Sequence, residues 1–366
     1  MKITFPHMGN IYIAAKVVFD RLDVDYVMPE PRNRAALEKA LTVAPESICL
    51  PFKTILGNFI EGLDKGADAI VFGGGHGRCR LSYFGDLIKE TLEEMGYTFD
   101  FLFMDFNQLD LHQLAETFGP LVRGKSVSCI TRALVEGGHT IFSVDRLYAL
   151  SRRTRCRELH QGDTDAVMRR FEKAVLHARD AGRILAELRE AHRALHAVLI
   201  DPEAKPLRVM LVGEIFTACE PFVNLEIERK LGQMGVDVYN TLGLSCWVRD
   251  HFLGNVFPFL SYNKPKLAAR AYARTDDFGG LGIETIGNAA LARENGMDGV
   301  VQIYPLTCMP EIVAEAAMPH VQKRAGIPVM TLVVDEQTGE AGFITRLEAF
   351  TDMLATRRTQ PVLHVG

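Results

Sequence analysis

Short apolar segments alternate with longer amphipathic ones along most of this chain, and that rhythm constrains the fold more than any other feature. Residues 2–5 read as a buried strand, 11–22 as a helix, 25–28 as a strand and 34–41 as a helix. The pattern continues with a helix over 51–65, a strand over 67–72, a helix over 83–95 and a strand over 99–104. Strands separated by helices cannot close tight hairpins, so they pair in parallel, and a parallel sheet needs helices on both faces.

The rhythm restarts after the loop at 201–206. Strands are expected at 207–212, 236–239, 299–304 and 328–334, with helices at 221–234, 245–252, 264–274, 284–294, 310–325 and 344–356. Between the two series, residues 111–157 are broken by Gly124, Gly137 and Gly138. Residues 163–199 then form one long charged helical run, with Val167, Phe171, Val175, Leu185, Leu188 and Leu195 near a single apolar stripe. The spacing predicts an α/β protein with two Rossmann-like domains of mostly parallel sheet, at 1–122 and 206–366, joined by a helical connecting region at 123–205. At 366 residues the chain also exceeds the size at which one core usually stops growing. The carboxyl ends of the two sheets are expected to face each other, because open α/β sheets bind ligands there.

A formal net charge of -5 offers no general attraction to a nucleic-acid backbone or an anionic membrane. The first residues are broken by Pro6, His7 and Asn10 and lack the apolar run of a signal peptide, and no stretch is apolar enough to span a bilayer. A cytoplasmic protein is expected. Its seven cysteines then read as free thiols or metal ligands, since the cytosol is reducing and an odd number cannot fully pair.

Two of those cysteines stand in the same local pattern, Cys49-Leu50-Pro51 and Cys308-Met309-Pro310, each at the start of an expected helix. Proline is favoured in the first helical turn, so each thiol should lie at a helix amino terminus, where free N–H groups stabilise a thiolate. A third, Cys79, follows Gly73-Gly74-Gly75-His76-Gly77, directly after an apolar strand, with Arg78 and Arg80 beside it. The glycines allow close approach of backbone to a ligand, but their spacing is not that of a dinucleotide fingerprint. No P-loop occurs in the sequence.

Cys49, Cys79 and Cys308 are therefore expected to meet in the inter-domain cleft and hold a metal centre, with His76 and Cys219 as further ligand candidates. A zinc ion on three cysteines and His76 is one reading, although no C-x2-C knuckle is present. An iron-sulfur cluster is the other. Small buried residues at helix starts would explain the same pattern without a metal. His7, at the end of the first strand, is a candidate proton donor or extra ligand, or a satisfied structural histidine. Arg152, Arg153, Arg155 and Arg157 read as a basic groove or as a solvated face. Cys129, Cys156 and Cys246 read as core or surface thiols.

Taken together, Cys49-Leu50-Pro51-Phe52-Lys53, Gly77-Arg78-Cys79-Arg80, Gly213-Glu214-Ile215, Asn224 with Glu226-Ile227-Glu228, Cys308-Met309-Pro310-Glu311 and Thr345-Arg346-Leu347-Glu348-Ala349-Phe350 form a pattern. In it the chain resembles the 2-hydroxyacyl-CoA dehydratase D-component superfamily, most closely its branch of CoA-substrate-specific enzyme activase-related proteins. The resemblance runs over nearly the whole length. It implies a [4Fe-4S] cluster on Cys49, Cys79 and Cys308 and electron transfer at very low potential. It further implies a separate ATP-hydrolysing activator protein as partner, a homo- or heterodimer, and acyl-CoA as a substrate if the chain is itself a dehydratase. Around Cys79 the following Leu81-Ser82-Tyr83-Phe84 departs from the glycine and tyrosine pair of that family.

Overall fold

The computed structural model describes residues 1–31, 33–74, 77–105, 111–253, 264–273 and 278–359. Its frame is a pair of four-stranded, wholly parallel sheets. The first comprises β1 (Ile3–Thr4), β2 (Tyr26–Val27), β3 (Ala69–Gly74) and β4 (Asp100–Asp105). The second comprises β5 (Leu207–Gly213), β6 (Val236–Asn240), β7 (Gly299–Pro305) and β8 (Val329–Val334). The strand orders are β2-β1-β3-β4 and β6-β5-β7-β8, so both sheets reverse direction of growth between their first and third strands. That reversal opens a crevice at the carboxyl ends of those two strands.

Strand alternation explains why both faces are covered. Ile70 and Phe72 of β3 face one apolar cluster while Ala69 and Val71 face another. In the second sheet Val209, Leu211, Val301 and Ile303 point one way, and Met210, Val212 and Val300 the other. The inner faces of both sheets share one cluster of buried side chains, running from Phe52, Phe59 and Phe84 to Phe216, Leu231 and Phe350. The two sheets are thus welded by hydrophobic burial, at about 25 cal/mol per Å² of apolar surface.

Helix α3 (Leu50–Asp64) shows what that burial demands. It is apolar nearly all round, and fourteen of its fifteen residues are buried. Gly57 and Gly62 let it approach so closely that a Cβ would lie 2.6 Å from the Ala36 carbonyl and 2.2 Å from Thr4 Oγ1.

Where the structure departs from the sequence pattern, a local cap or turn is the cause. The expected run over 163–199 is two helices, α7 (Asp163–His177) and α8 (Ala181–Ala197). Ala178 turns extended and the Asp180 carboxylate accepts the Arg183 N–H at 2.9 Å, starting a new helix. The glycine-broken stretch before it contains α5 (Leu111–Val122) and α6 (Val127–Arg155), the latter 29 residues and about 44 Å long. The expected helix over 221–234 begins only at Ile227 (α10, Ile227–Gln233), because Leu225 and Glu226 are left-handed, at φ 53° and 58°.

Helix α6 braces the molecule. Its amino-terminal half packs on α1 (Ile11–Leu22), where Arg21 pairs with Glu136 at 2.6 Å. Its carboxyl end reaches the second sheet through Arg152–Glu228 at 3.1 Å and Arg157–Asp237 at 3.6 Å, while Arg155 pairs with Asp165 at 2.7 Å. Three of the four arginines read as a basic groove are therefore engaged by carboxylates. Among the described residues, no helix is long and apolar enough to cross a membrane.

Candidate metal centre

Each of the three cysteines sits where a strand or loop in extended conformation gives way to a helical turn. Cys49 (φ -69°, ψ 152°) is the N-cap of α3, with Pro51 in its first turn. Cys308 (φ -71°, ψ 100°) is the N-cap of a 17-residue helix, Met309–Ala325, with Pro310 in the same place. Cys79 (φ -84°, ψ 145°) precedes a 3-10 turn, Arg80–Tyr83. Proline fixes the first turn of both long helices and leaves the cysteine just outside.

A small set of bonds draws the three segments together across the cleft. Arg80, next to Cys79, donates to the carbonyl of Ser47 at 3.0 Å and to the carbonyl of Thr307. Thr307 Oγ1 in turn donates to Ser47 O at 3.1 Å. Residues adjoining all three cysteines thus meet at one guanidinium. Gly279 and Gly280 complete the enclosure, since a Cβ on them would lie 2.9 Å from Arg78 Cβ and 2.9 Å from Pro310 Cβ respectively. The cysteines also feel one another: the charge of Cys79 acts on both Cys49 and Cys308.

Helix starts and arginines were expected to favour thiolates, and the structure reverses the balance. Burial pushes the Cys49 thiol up to about 12, followed by the charge of Glu214, with Arg80 and the Phe52 N–H opposing. Burial also raises Cys79, with the Leu81 N–H opposing. Cys308 is raised by burial, then by Glu214 and Glu311, against the Glu311 N–H. Those N–H groups act on the sulfurs without closing a full cap hydrogen bond. The deciding features are therefore desolvation and two carboxylates, Glu214 and Glu311.

Both carboxylates are buried and held. Glu214 accepts from Phe216 N, Thr217 N and Thr217 Oγ1 at 2.7–2.9 Å and is itself raised by burial. Glu311 accepts from Thr285 Oγ1 at 3.1 Å and Gln302 Nε2 at 3.0 Å, and burial pushes it up to about 7. An enclosure of three thiols and two carboxylates against one guanidinium holds an excess of acidic groups. Deprotonating its sulfurs requires added positive charge, which a metal group supplies. By donor chemistry the residues fit such a group. Among the described residues, no three His, Cys, Asp or Glu side chains are gathered tightly enough to ligate a single ion.

The other cysteines differ. Cys129, Cys156 and Cys219 donate their S–H to the carbonyls of Arg21, Arg153 and Leu242, at 3.6, 3.4 and 3.0 Å. Cys219 ends the short helix α9 (Ile215–Cys219) that Glu214 caps, and burial raises its thiol well above the usual range. His76 lies outside the described residues. His7 is 6% exposed, donates Nε2–H to Pro29 O at 2.7 Å and stacks edgewise on Tyr12, so it is a satisfied structural histidine.

The sequence reading missed the Gly279-Gly280 pair and Ser47, and it gave neither Glu214, quoted only within Gly213-Glu214-Ile215, nor Glu311 a role of its own. Gly279-Gly280 carried a legible signal, a double glycine ahead of a helix, while Glu311 was marked only as part of a motif. No protein-family model matches the chain, and no curated protein sequence matches it.

Proposed function

We propose that Cys49, Cys79 and Cys308 hold a [4Fe-4S] cluster between the two domains, and that the chain is a low-potential electron-transfer or reductive component served by a separate ATP-dependent activator. One observation carries this reading. Three cysteines from distant segments cap three helical turns around one guanidinium, in a buried acidic enclosure, while Cys129, Cys156 and Cys219 donate to carbonyls elsewhere.

Bound by three thiolates, such a cluster leaves one iron open to a substrate, water or another ligand and exchanges a single electron. The chain's own residues supply the rest. Arg80 keeps the three ligand segments in register and offsets part of their charge. The N–H groups of Phe52, Leu81 and Glu311 face the sulfurs and favour the thiolate form. Burial raises Glu311, beside Cys308, to about 7, so near neutral pH its carboxyl is divided between the protonated and ionised forms.

A protein partner is supported by the rim. Leu81 and Tyr83 beside Cys79, and Leu306, Met309 and Ile312 beside Cys308, are 37, 56, 51, 47 and 46% exposed. The chain has no P-loop, so ATP-driven electron supply falls to another polypeptide.

Anaerobic reconstitution with iron and sulfide tests the proposal. About four iron atoms per chain are expected, with a reduced-state paramagnetic signal. Cys49→Ser, Cys79→Ser and Cys308→Ser should each lose most of that iron, and Cys129→Ser and Cys156→Ser should keep it. Zinc in place of iron in the anaerobically purified protein would overturn the reading. Calorimetry with an acyl-CoA separates this role from direct dehydratase action, for which saturable binding is required.

A further inference from the structure

A second cavity lies apart from Cys49, Cys79 and Cys308. It holds about 530 Å³ between the carboxyl half of α6, one face of α7 and the edge strand β6, with Met8 and Asn10 of the first domain at its rim. That volume lies within the range of small-molecule sites, about 300–1,000 Å³. None of Cys49, Cys79 or Cys308 lines it.

Seven arginines and six carboxylates line it, and they are unevenly paired. Every carboxylate that lines it is already engaged. Asp145 accepts the Ser245 N–H at 2.6 Å, Glu172 accepts from Tyr148 Oη at 2.8 Å, and Asp165 and Glu228 receive Arg155 and Arg152. Glu226 pairs with Arg229, and Asp237 with Arg157 at 3.6 Å. Arg208 turns to the carbonyls of Asn295 and Gly296. Arg146, Arg153 and Arg169 remain, and among the described residues no carboxylate pairs with them. Arg146 spends Nε on the Phe142 carbonyl at 3.2 Å and one terminal nitrogen on Ser143 Oγ at 3.3 Å, both neutral acceptors.

The placement of these three is specific. Arg146 and Arg153 are seven residues apart on α6, so they share a face about 10 Å apart, and Arg169 approaches from α7. A strained turn contributes Asn224 and Glu226 to the lining. Leu225 and Glu226 are consecutive left-handed residues, held by Asn224, which donates to the carbonyls of Thr217 and Ala218 at 2.9 Å and accepts the Ile227 N–H. Backbone strain at non-glycine residues collects at functional sites. This turn holds Glu226 on Arg229 and so keeps the acidic side of the cavity occupied.

The geometry points to a second ligand site, for a small molecule carrying two or more anionic groups, phosphate or carboxylate, clamped by Arg146, Arg153 and Arg169. Guanidinium groups bind either kind of oxyanion in bidentate fashion, and two helices contribute them, which selects for ligands with separated charges over a single ion. The site stands whether or not the cysteines hold a cluster.

The chain's single tryptophan gives a native reporter. Trp247 ends the short helix Leu244–Trp247, whose Leu244, Ser245 and Cys246 line the cavity. The full-length protein is titrated with sodium triphosphate and with citrate at constant ionic strength, following tryptophan emission and, in parallel, heat by calorimetry. Saturable binding of at least one probe, with a Kd below about 1 mM, is expected. Arg153→Gln/Arg169→Gln should weaken it at least tenfold with an unchanged thermal melt, and Arg189→Gln on the exposed side of α8 should not. Triphosphate alone would assign an organic phosphate, citrate alone a polycarboxylate, and both together the shared oxyanion chemistry. Absence of both emission change and heat, or affinity that survives the double variant, would overturn the site.

Discussion

The two sheets share one strand order, yet they are built differently and present their cysteines differently. The first sheet opens on two strands of two residues each, and its third strand, β3, ends five residues before Cys79. The second opens on a seven-residue strand, and its third, β7, is buried along its whole length and reaches Cys308 three residues after its end, directly on a 17-residue helix. One cysteine segment is therefore fixed by its own sheet, and the other is fixed from outside by the bonds of Arg80 to Ser47 and Thr307. Equal topology does not mean equal rigidity. The first domain takes its order from helices laid over short strands, the second from the strands themselves.

The sharpest way to break this comparison is at two glycines on strand ends. Gly213, closing β5, sits at φ 131°, and a Cβ there would lie 1.9 Å from the Ile303 carbonyl oxygen, backbone that cannot yield. Gly213→Ala should cost upwards of about 4 kcal/mol, or prevent folding. Gly74, closing β3, meets only the ring of Phe103 at 3.0 Å, which can turn aside. Gly74→Ala should cost about 1 kcal/mol. Urea denaturation of both variants decides it, and equal losses would mean that the two strand ends are equally rigid.

The next effect tests how the halves are joined. Lys53 of α3, 3% exposed, donates to Glu336 Oε1 at 2.7 Å and to the Glu46 carbonyl at 3.1 Å. Removing one partner of a buried pair leaves the other uncompensated, so Lys53→Met should destabilise by about 3 kcal/mol. Adding Glu336→Gln should recover a substantial part of it. The exposed Arg34, which reaches the Glu336 carbonyl and pairs with the exposed Glu38 at 3.1 Å, should cost less than about 0.5 kcal/mol when replaced by Ala. If the double variant is no more stable than Lys53→Met, the ion pair is not what fastens this contact.

A third effect belongs to the helical half alone and is read by pH. Lys16 of α1 is 1% exposed and donates to the carbonyls of Val175 and Leu176, both at 2.7 Å, at the end of α7. Burial lowers its pKa to about 8 from 10.5. Between those values the unfolded chain binds more protons than the folded one, so stability rises with pH across that window and is flat below it. The difference in unfolding free energy between wild type and Lys16→Met should grow by about 2 kcal/mol from pH 7.5 to pH 10. A constant difference would show that the amine is not titrating in its buried place.

Much of this frame is legible in the sequence, and the illegible parts share one cause. The strands of both sheets follow from apolar runs between helices, and Cys49 and Cys308 follow from a proline two residues on, because both signals are local. The break at Leu225 and Glu226 is not local. The amphipathic pattern of 221–234 continues through it, and the left-handed turn is imposed by Asn224 bonding to carbonyls of α9. The thiol environment was misjudged for the same reason. Arg78 and Arg80 are visible beside Cys79, whereas Glu214 and Glu311 arrive from the other sheet. Likewise Arg152, Arg155 and Arg157 look like a basic run until Glu228, Asp165 and Asp237 meet them in space.

The smallest effect lies in the residue that precedes each strand-end cysteine. Thr307, just before Cys308, is left-handed at φ 69°, a conformation that a β-branched residue adopts with strain. It is held there partly by its own hydroxyl, which donates to Ser47 O at 3.1 Å. Asparagine tolerates the left-handed region and keeps a donor, so Thr307→Asn should relieve more strain than it loses in bonding and raise stability by about 0.5 kcal/mol. Arg78, before Cys79, is not among the left-handed residues, so Arg78→Asn should bring no such gain. Thermal melts of the two variants measure the difference. A gain at Thr307 alone would locate the strained cysteine segment in the second sheet, where the rigid strand and helix hold it. A loss there would mean that the bond to Ser47, and with it the closure of the cleft, outweighs the backbone strain.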